Sequence, residues 1–452
     1  MSPLGAVGLL GWTIAPQYIK IHIWQYGLFG ETGPFGERRD GSGGIMSNAR
    51  HRVVVIGGSF AGVNAAYQLR RKLGDRVAVD VVSADEDFLF MPSIPWVMMG
   101  WRRPERISVP LARPLGSKGI NFVHDRATVI DPEAHTVATT GGRILPYDHL
   151  VVATGADLDW TNVPGSDPKD GSVHTCFNLA QAVEARGAIE RFLALPKGRA
   201  IVGANPGASC IGPAYELIMM LETELRRRKR RHLFALHLVT PEPFLGHFGV
   251  NGIGNIVSMM EGEFRSRHLD WTANAALKTV EPGKAALTDG AELGFDLALL
   301  IPAFLGAEVV RGVEGLGNPR GFIPTTRELR STKYPEIYAA GVSVAIAPPV
   351  PTQVPVGVPK TGHMSEEMAT RVAINIAADL GEGDHVDGLT LPATCIADAG
   401  DTAFYIKADP FLPPRNVAVL KKGVWAHYMK GAFERFYMEK VKHDLPSTHF
   451  GW

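Results

Sequence analysis

The chain has 452 residues, 45% of them apolar and 20% charged, enough to bury large cores and to divide into two or three domains. Its 46 Lys+Arg balance 46 Asp+Glu, so no global field points to nucleic acid or an acidic partner, and any attraction to a membrane must be local. Three cysteines, Cys176, Cys210 and Cys395, are too few for a disulfide scaffold of this size and form no CxxC or zinc pattern, so no metal site is expected and each thiol is judged by its position.

Residues 1–50 read as an N-terminal extension. Its apolar stretch from Leu9 to Phe29 is interrupted by Pro16, Lys20 and His22, falls short of the ~18 uninterrupted apolar residues of a membrane span, and has no basic lead as in a signal peptide. Met46 is the preferred start, with a membrane-contacting arm as the rival reading.

From Arg52 the pattern sharpens. A β-branched run, Val53 to Ile56, leads to Gly57-x-Ser59-x-x-Gly62 and a helix over Ala61–Leu73. This is the dinucleotide fingerprint with serine at its middle glycine: Gly57 makes the tight turn, small Ser59 lets a pyrophosphate approach the backbone, and Gly62 lets helix pack on strand. The next strand, Val77–Val82, ends in Ser83 where a ribose-binding acid is usual. Further on, an apolar strand ends in Ala153-Thr154-Gly155, and Ile337 to Val342 repeats that arrangement around Gly341. These pieces resemble an FAD domain of the disulfide-reductase superfamily encoded on both sides of an insert, over 51–158 and 295–383. Its expected FAD contacts are Gly57, Ser59, Ala61, Gly62, Ser83, Ala127, Ala153, Thr154, Gly155 and Gly341. A nucleotide-free α/β turn is the bland alternative.

The insert, 159–294, opens a second unit of the same kind with a broken fingerprint, Gly203-x-Asn205-x-x-Ala208. Two of three glycines are missing, Pro206 lacks an N–H for phosphate, and the strand Phe234–Val239 ends in Thr240-Pro241 without an acid. The pattern argues against tight NAD(P)H binding. Cys210 lies where the next helix begins, near Ile211, and a helix N-terminus lowers a thiol pKa. A reactive thiolate is expected there, against the alternative of a small packed cysteine. Cys176 precedes a helix over Leu179–Phe192, and Cys395 follows one over Thr361–Leu380, so each thiol lies beside a connection between domains.

At this point the chain resembles the sulfide:quinone oxidoreductases through nearly all of residues 50–440. The passages that carry the likeness are Phe90 to Trp101, Gly207-Ala-Ser-Cys-Ile-Gly-Pro-Ala-Tyr-Glu216, Leu245-Gly-His-Phe-Gly249, Val358-Pro-Lys-Thr-Gly-His363 and Cys395-Ile-Ala-Asp-Ala-Gly400. All three cysteines fall on the family's redox positions, while Ala180 departs from it, a histidine being expected four residues after Cys176. The resemblance implies an α/β fold of two Rossmann-like units, the FAD domain split by the second, with a C-terminal membrane-associating helical region over 384–452. It implies that sulfide attacks a bridge between Cys210 and Cys395, that Cys210 passes electrons to FAD, and that a membrane quinone takes them up. Glu216 would accept a proton nearby, Cys176 would shuttle sulfur or tether the flavin, and His247 would carry protons. Taken singly, Glu216 reads equally as a paired carboxylate and His247 as a structural histidine. Lys360 at a helix start would stabilise the reduced flavin, and the proline-rich 348–359 segment would border the quinone pocket, or serve as a rigid linker.

From Val424 to Val441, Trp425, Tyr428, Met429, Phe433, Phe436 and Tyr437 recur at three- and four-residue steps among Lys421, Lys422, Lys430, Arg435, Lys440 and Lys442. That is an amphipathic stripe suited to a bilayer interface and too polar to span it; a core-packed terminal helix is the alternative. Phe404, Phe411 and Phe433 are candidates to line a quinone site. The basic run Arg226 to Arg231 reads as a solvated helix end. The expected enzyme is a peripheral homo-oligomer on a prokaryotic cytoplasmic membrane. Its rivals are a type II NADH:quinone oxidoreductase, which needs an intact nicotinamide turn, a flavocytochrome c sulfide dehydrogenase subunit, and a redox-sensing flavoprotein without turnover.

Overall fold

The computed structural model describes residues 50–446; the N-terminal reading, Met46 included, lies outside them. The chain begins with β1 (His51–Ile56), whose last four residues are buried, crosses by helix α1 (Phe60–Leu73) to β2 (Val77–Ser83), and adds β3 (Asn121–His124) and β4 (His149–Val152). It then builds α2 (Leu179–Ala194), β5 (Gly198–Ala204), α3 (Gly212–Arg227), β6 (Phe234–Val239), α4 (Ile256–Ser266), β7 (Asp270–Thr272) and β8 (Leu297–Ile301). It returns to the first sheet with β9 (Ile337–Ala339) and packs α5 (Gly362–Asp379) on α1, where Asn64 Nδ2 donates to the Glu366 carbonyl at 2.8 Å.

Two parallel sheets result, in the order β9-β4-β1-β2-β3 and β7-β6-β5-β8. The central strands of each read as continuous apolar runs because both faces are covered; one face of the second sheet packs Ile201, Val239, Ala298 and Leu300 on a small antiparallel sheet through Leu277, Val280, Ala285 and Leu287. The outgoing and returning crossings, Ala156–Asp159 and Ala303–Gly306, pair antiparallel, so the chain enters and leaves the second sheet side by side.

The C-terminal region holds a helix, as expected, and a sheet besides. Before the last helix it forms an antiparallel sheet of β10 (Ala393–Asp398), β11 (Ala403–Asp409) and β12 (Val417–Gly423), with Cys395 opposite Ile406. Helix α6 (Val424–His443) then packs back on the body. The stripe on α6 needs correction. Lys430 and Lys440, read as its basic margin, are 2% and 5% exposed, because each is buried against a carboxylate, Glu216 and Glu366. Burial lowers the Lys440 ammonium to about 7. The exposed apolar surface is confined to the first turns, Val424, Trp425 and Tyr428, the last 73% exposed. No helix among the described residues is long and apolar enough to cross a membrane.

Candidate active site

The first glycine turn lies at the carboxyl ends of the parallel strands, where open α/β sheets bind ligands. Gly57 has φ +125°, and a Cβ there would overlap the Ala153 carbonyl oxygen; a Cβ on Gly62 would overlap the Gly57 carbonyl oxygen. Both positions therefore demand glycine. Ser59 is the N-cap of α1, exposed, and makes no side-chain capping bond, which leaves the N-terminal N–H groups of α1 directed outward. Ser83 receives the Asp85 N–H on its Oγ at 3.2 Å, and its side chain crowds Gly58. Thr154 Oγ1 lies 3.2 Å from Ser343 Oγ, and a Cβ on Gly341 would lie 3.2 Å from that of Ala61. Gly57, Ala61, Gly62, Ala153, Thr154 and Gly341 thus converge. Ala127 starts a small antiparallel strand three residues beyond His124, the partner of Ser83 in the sheet. A glycine-demanding turn, an uncapped helix N-terminus and close backbone approaches fit the diphosphate of a flavin dinucleotide.

The second turn is built differently. Asn205, at the middle fingerprint position, is fully buried and donates to Ser166 Oγ at 3.0 Å. Gly207 N–H donates to the Pro355 carbonyl at 2.6 Å, and Gly357 N–H to the Ala208 carbonyl at 3.0 Å. The Gly207 N–H and the Asn205 side chain, both within the fingerprint turn, are thus bonded within the protein. The proline-rich segment thereby holds the Cys210 turn, and a Cβ on Gly249 would overlap the Gly357 carbonyl oxygen, so the His247 loop packs on the same segment.

All three cysteines are free thiols. They form an electrostatically linked series. Burial raises each: Cys176 well above the usual thiol range, with Cys210 as the next contributor; Cys210 to about 12, with Cys395 next; and Cys395 to about 11, with Glu216 next. The expectation that a helix end lowers the Cys210 pKa is therefore corrected. Cys210 precedes Ile211 and the helix starts at Gly212, and burial outweighs the helix end. Cys395 nevertheless presents accessible surface.

Glu216 is buried on the second turn of α3. Its Oε1 accepts from Lys430 Nζ at 2.5 Å and from the Asp398 N–H at 2.6 Å. Burial raises its carboxyl pKa against the lowering pull of Lys430. Asp398, three residues past Cys395, accepts from His427 Nδ1 at 2.7 Å. Lys430 also lies 5.0 Å from the Trp96 ring centre. Lys430, Asp398 and His427 escaped a reading of sequence; only the quoted passage around Cys395 pointed to Asp398.

His247 is buried, and its Nδ1 accepts the Gly249 N–H at 3.1 Å. Burial lowers its pKa, so the ring is neutral and Nε2 carries the proton. Its loop hangs on buried Glu242, which accepts from Tyr215 OH at 2.7 Å and the Phe248 N–H at 2.6 Å. Lys360 lies one residue before the Thr361 N-cap, donates to the Val344 carbonyl at 3.1 Å, and is lowered to about 8 by burial. Of the three phenylalanines, Phe433 is half-buried on α6 against Phe90, whereas Phe404 and Phe411 are buried in the core. The basic run is not freely solvated: Arg226 pairs with Glu222 and Asp401, Arg228 with Glu224 and Glu190, and Arg230 and Arg231 bond backbone carbonyls.

Comparison with known proteins agrees with this geometry. Residues 51–361 match the pyridine nucleotide-disulphide oxidoreductase family model. The chain is 40% identical over 408 residues to the sulfide-quinone reductase of Aquifex aeolicus, covering 89% of this chain and 93% of that protein. The crystal structure of the Aquifex aeolicus sulfide:quinone oxidoreductase superposes with a TM-score of 0.84 at 39% identity, covering 88% of this chain and 93% of the other. A mitochondrial sulfide:quinone oxidoreductase of Dictyostelium discoideum is 26% identical over 186 residues, 39% of each chain. The chain therefore belongs to the pyridine nucleotide-disulphide oxidoreductases and, within them, to the sulfide:quinone oxidoreductases, and it is a flavin-dependent oxidoreductase.

Proposed function

We propose that the chain oxidises sulfide to sulfur or polysulfide through a Cys210–Cys395 disulfide and non-metal redox chemistry, with FAD as its flavin and a membrane quinone as electron acceptor. The observation that carries this reading is the linked series of thiols, Cys176 to Cys210 to Cys395, ending on the buried Glu216–Lys430 pair. Thiols coupled in sequence, Cys176 with Cys210 and Cys210 with Cys395, beside a buried acid and base suit sulfur transfer.

In the proposed cycle hydrosulfide attacks one sulfur of the Cys210–Cys395 bridge. The S–S bond breaks as the new one forms, leaving a persulfide on one cysteine and a thiolate on the other. Lys430 stabilises negative charge developing near Cys395, and Glu216, its pKa raised by burial, takes a proton that the sulfur sheds. With the persulfide on Cys395, the Cys210 thiolate bonds to its outer sulfur, which sheds its proton and releases an electron pair; bound FAD would supply the two-electron acceptor chemistry between this step and the quinone. Gly57, Ser59 and Gly62 would hold its diphosphate, Gly341 and Thr154 would lie beside it, and the Lys360 ammonium would supply positive charge. Cys176, the most deeply buried thiol, receives the growing sulfur chain or holds the flavin. Phe433, next to Phe90 and Tyr437, flanks the quinone. The exposed Val424, Trp425 and Tyr428 face the lipid, placing the enzyme peripherally on a membrane, and copies of the chain assemble there as a homo-oligomer. The insert expected over 159–294 extends to 302, because β8 (Leu297–Ile301) pairs with β5 in the second sheet and the chain returns through Ala303–Gly306; the domain limits 51–158 with 303–383, 159–302 and 384–452 are proposed on these crossings.

The test is anaerobic addition of sulfide, and separately NADH, to the flavin-loaded protein while the blue flavin absorbance is followed. Sulfide bleaches it and a short-chain quinone restores it; NADH does not. Replacing Cys395 by Ser slows the sulfide reaction about 1,000-fold or more, the scale on which loss of a reacting nucleophile acts. Bleaching by NADH alone, or wild-type rates in Cys395→Ser, would overturn the reading.

A further inference from the structure

Away from the thiols, the far end of α3 carries a buried charge cluster that the proposed chemistry does not use. Arg267, just after α4, is 8% exposed and lies among carboxylates on three separate pieces of chain. Its Nε donates to Glu263 at 2.5 Å, one terminal nitrogen to Glu222 at 2.6 Å and to Thr223 Oγ1 at 3.0 Å, and the other to Asp401 at 3.0 Å and Thr402 Oγ1 at 3.4 Å. Asp401 and Thr402 form the turn between β10 and β11. Arg226 reaches the same Asp401, Lys422 of β12 pairs with Glu263, and Thr223 Oγ1 and Arg227 donate to the Ala399 and Gly400 carbonyls, each at 2.7 Å. Three cations thus meet three anions; Arg267, Glu222 and Glu263 are buried from the water that weakens such pairs elsewhere, while Asp401, Arg226 and Lys422 close the cluster from its solvent side.

The position of this cluster along the two elements gives it a meaning. Cys210 and Cys395 lie near the starts of α3 and β10, which run alongside each other to the cluster. From Cys210 to Glu222 is about 18 Å at the helical rise, while β10 runs about 10 Å from Cys395 to Asp398 at the strand rise before the turn 399–402 begins. About 9–10 Å from each thiol by the same rises, the Asp398 N–H bonds Glu216. Helix and strand are therefore joined at two places, at Glu216 and at the turn, and both thiols lie before the first of these along their chains. A disulfide tolerates little error, its Cα atoms having to lie about 4.4–6.8 Å apart.

We propose that Arg267 is a positioning residue for the Cys210–Cys395 pair: by locking the β10–β11 turn to α3 it fixes the register at which the two thiols can bond. This inference rests on the reading of those cysteines as the redox pair. Arginine is required because its planar fork reaches Glu222, Glu263 and Asp401 at once, which a single ammonium does not.

The experiment equilibrates reduced, flavin-loaded protein anaerobically with a small dithiol/disulfide couple. The two protein thiols give two protons and two electrons to the small disulfide, which leaves as a dithiol, and the Cys210–Cys395 bond is counted by differential alkylation and peptide mass. Asp401→Asn removes the turn's charged links to Arg267 and Arg226, keeps its bonds to Thr223 and Arg227, and leaves Arg267 with Glu222 and Glu263, so it keeps the fold; Arg267→Lys is the stronger variant. Arg265→Met, on the exposed side of α4, is the control. We expect both test variants to shift the equilibrium about 10-fold or more toward the dithiol, since misplacements near 1 Å cost up to about 100-fold, while the control stays at wild type. An unchanged equilibrium in Asp401→Asn and in folded Arg267→Lys, whether or not the melting temperature falls, overturns the inference and makes Arg267 purely structural. If wild-type protein itself forms no Cys210–Cys395 bond, the redox-pair reading fails first and the inference with it, an outcome recognisable without any variant.

Discussion

The two glycine turns start from the same supersecondary unit and end in opposite states. In the first, three residues, 57–59, join β1 to α1, the N-cap side chain makes no bond, and glycine is forced at Gly57 and Gly62. In the second, seven residues, 205–211, join β5 to α3, and the counterpart of Gly62 is Ala208, accommodated because the helix starts later. The longer turn is filled by Asn205, clamped by Pro355 and Gly357, and holds Cys210 one residue before the N-cap Ile211. A short bare turn leaves helix N–H groups to a phosphate; a longer packed one gives them up and gains room for a thiol. On the proposed function, the difference separates a cofactor turn from a sulfur-chemistry turn within one chain.

The largest effect that would break this contrast comes from Gly62→Ala. The added methyl meets backbone, which has nowhere to move, so the variant should purify without detectable flavin, checked by its visible spectrum and by circular dichroism of the apoprotein. Full flavin content would show that the first turn is as adaptable as the second.

Next in size is a change at the fifth residue of each crossing helix. In α1 this is Asn64, a neutral side chain bonded to the Glu366 carbonyl and Thr370 Oγ1; in α3 it is Glu216, bonded to Lys430. Glu216→Gln strands a buried ammonium, which costs about 3–5 kcal/mol when one partner of a buried pair is removed. Denaturant unfolding should show that loss, and Lys430→Met added to it should restore most of the stability. A loss below about 1 kcal/mol, the scale of exposed pairs, would mean that water reaches the pair.

This pair also marks where sequence stops being informative. The strands and α1 are legible because β-branched runs and helical periodicity are local, and both turns are legible from residue type. Lys430 reads as one of several helix lysines, because its partner lies 214 positions away, and nothing local separates a buried lysine from a solvated one. β10 to β12 are hidden for a related reason: Ala393 to Asp398 shows no alternation, being covered on one face by α3 and edged by proline-rich chain. The Arg267 cluster is invisible for the same cause, its members being scattered over four elements. Residue types marked the thiols; only tertiary packing shows that burial, and not a helix end, sets their pKa values.

That last point yields a smaller, graded prediction. With Cys395 raised to about 11, about one thiol in 10,000 is ionised at pH 7, and since the thiolate is the nucleophile, alkylation of the reduced enzyme should climb about tenfold per pH unit toward pH 11. An unburied thiol would level off near 8.5. Peptide-resolved iodoacetamide rates across this range should place Cys395 ahead of Cys210 and Cys176, the order of their accessible surface. A plateau below pH 8.5 would mean that Lys430 and the helix end outweigh burial after all.

The smallest expected effect sharpens the contrast from the other side. Gly212 opens α3 as Phe60 opens α1, yet a Cβ on Gly212 would meet nothing within 4 Å, and its φ lies outside the left-handed region. Gly212→Ala should therefore be tolerated and should stabilise the fold by about 0.4–1 kcal/mol through a less disordered unfolded chain, read as a small rise in melting temperature at unchanged flavin content. If stability rises and flavin content falls, the backbone at Gly212 is a close approach for the cofactor, and the second turn shares in binding it. If stability itself falls by several kcal/mol, glycine is demanded at the second helix start as it is at Gly62, and the two turns differ in length but not in kind.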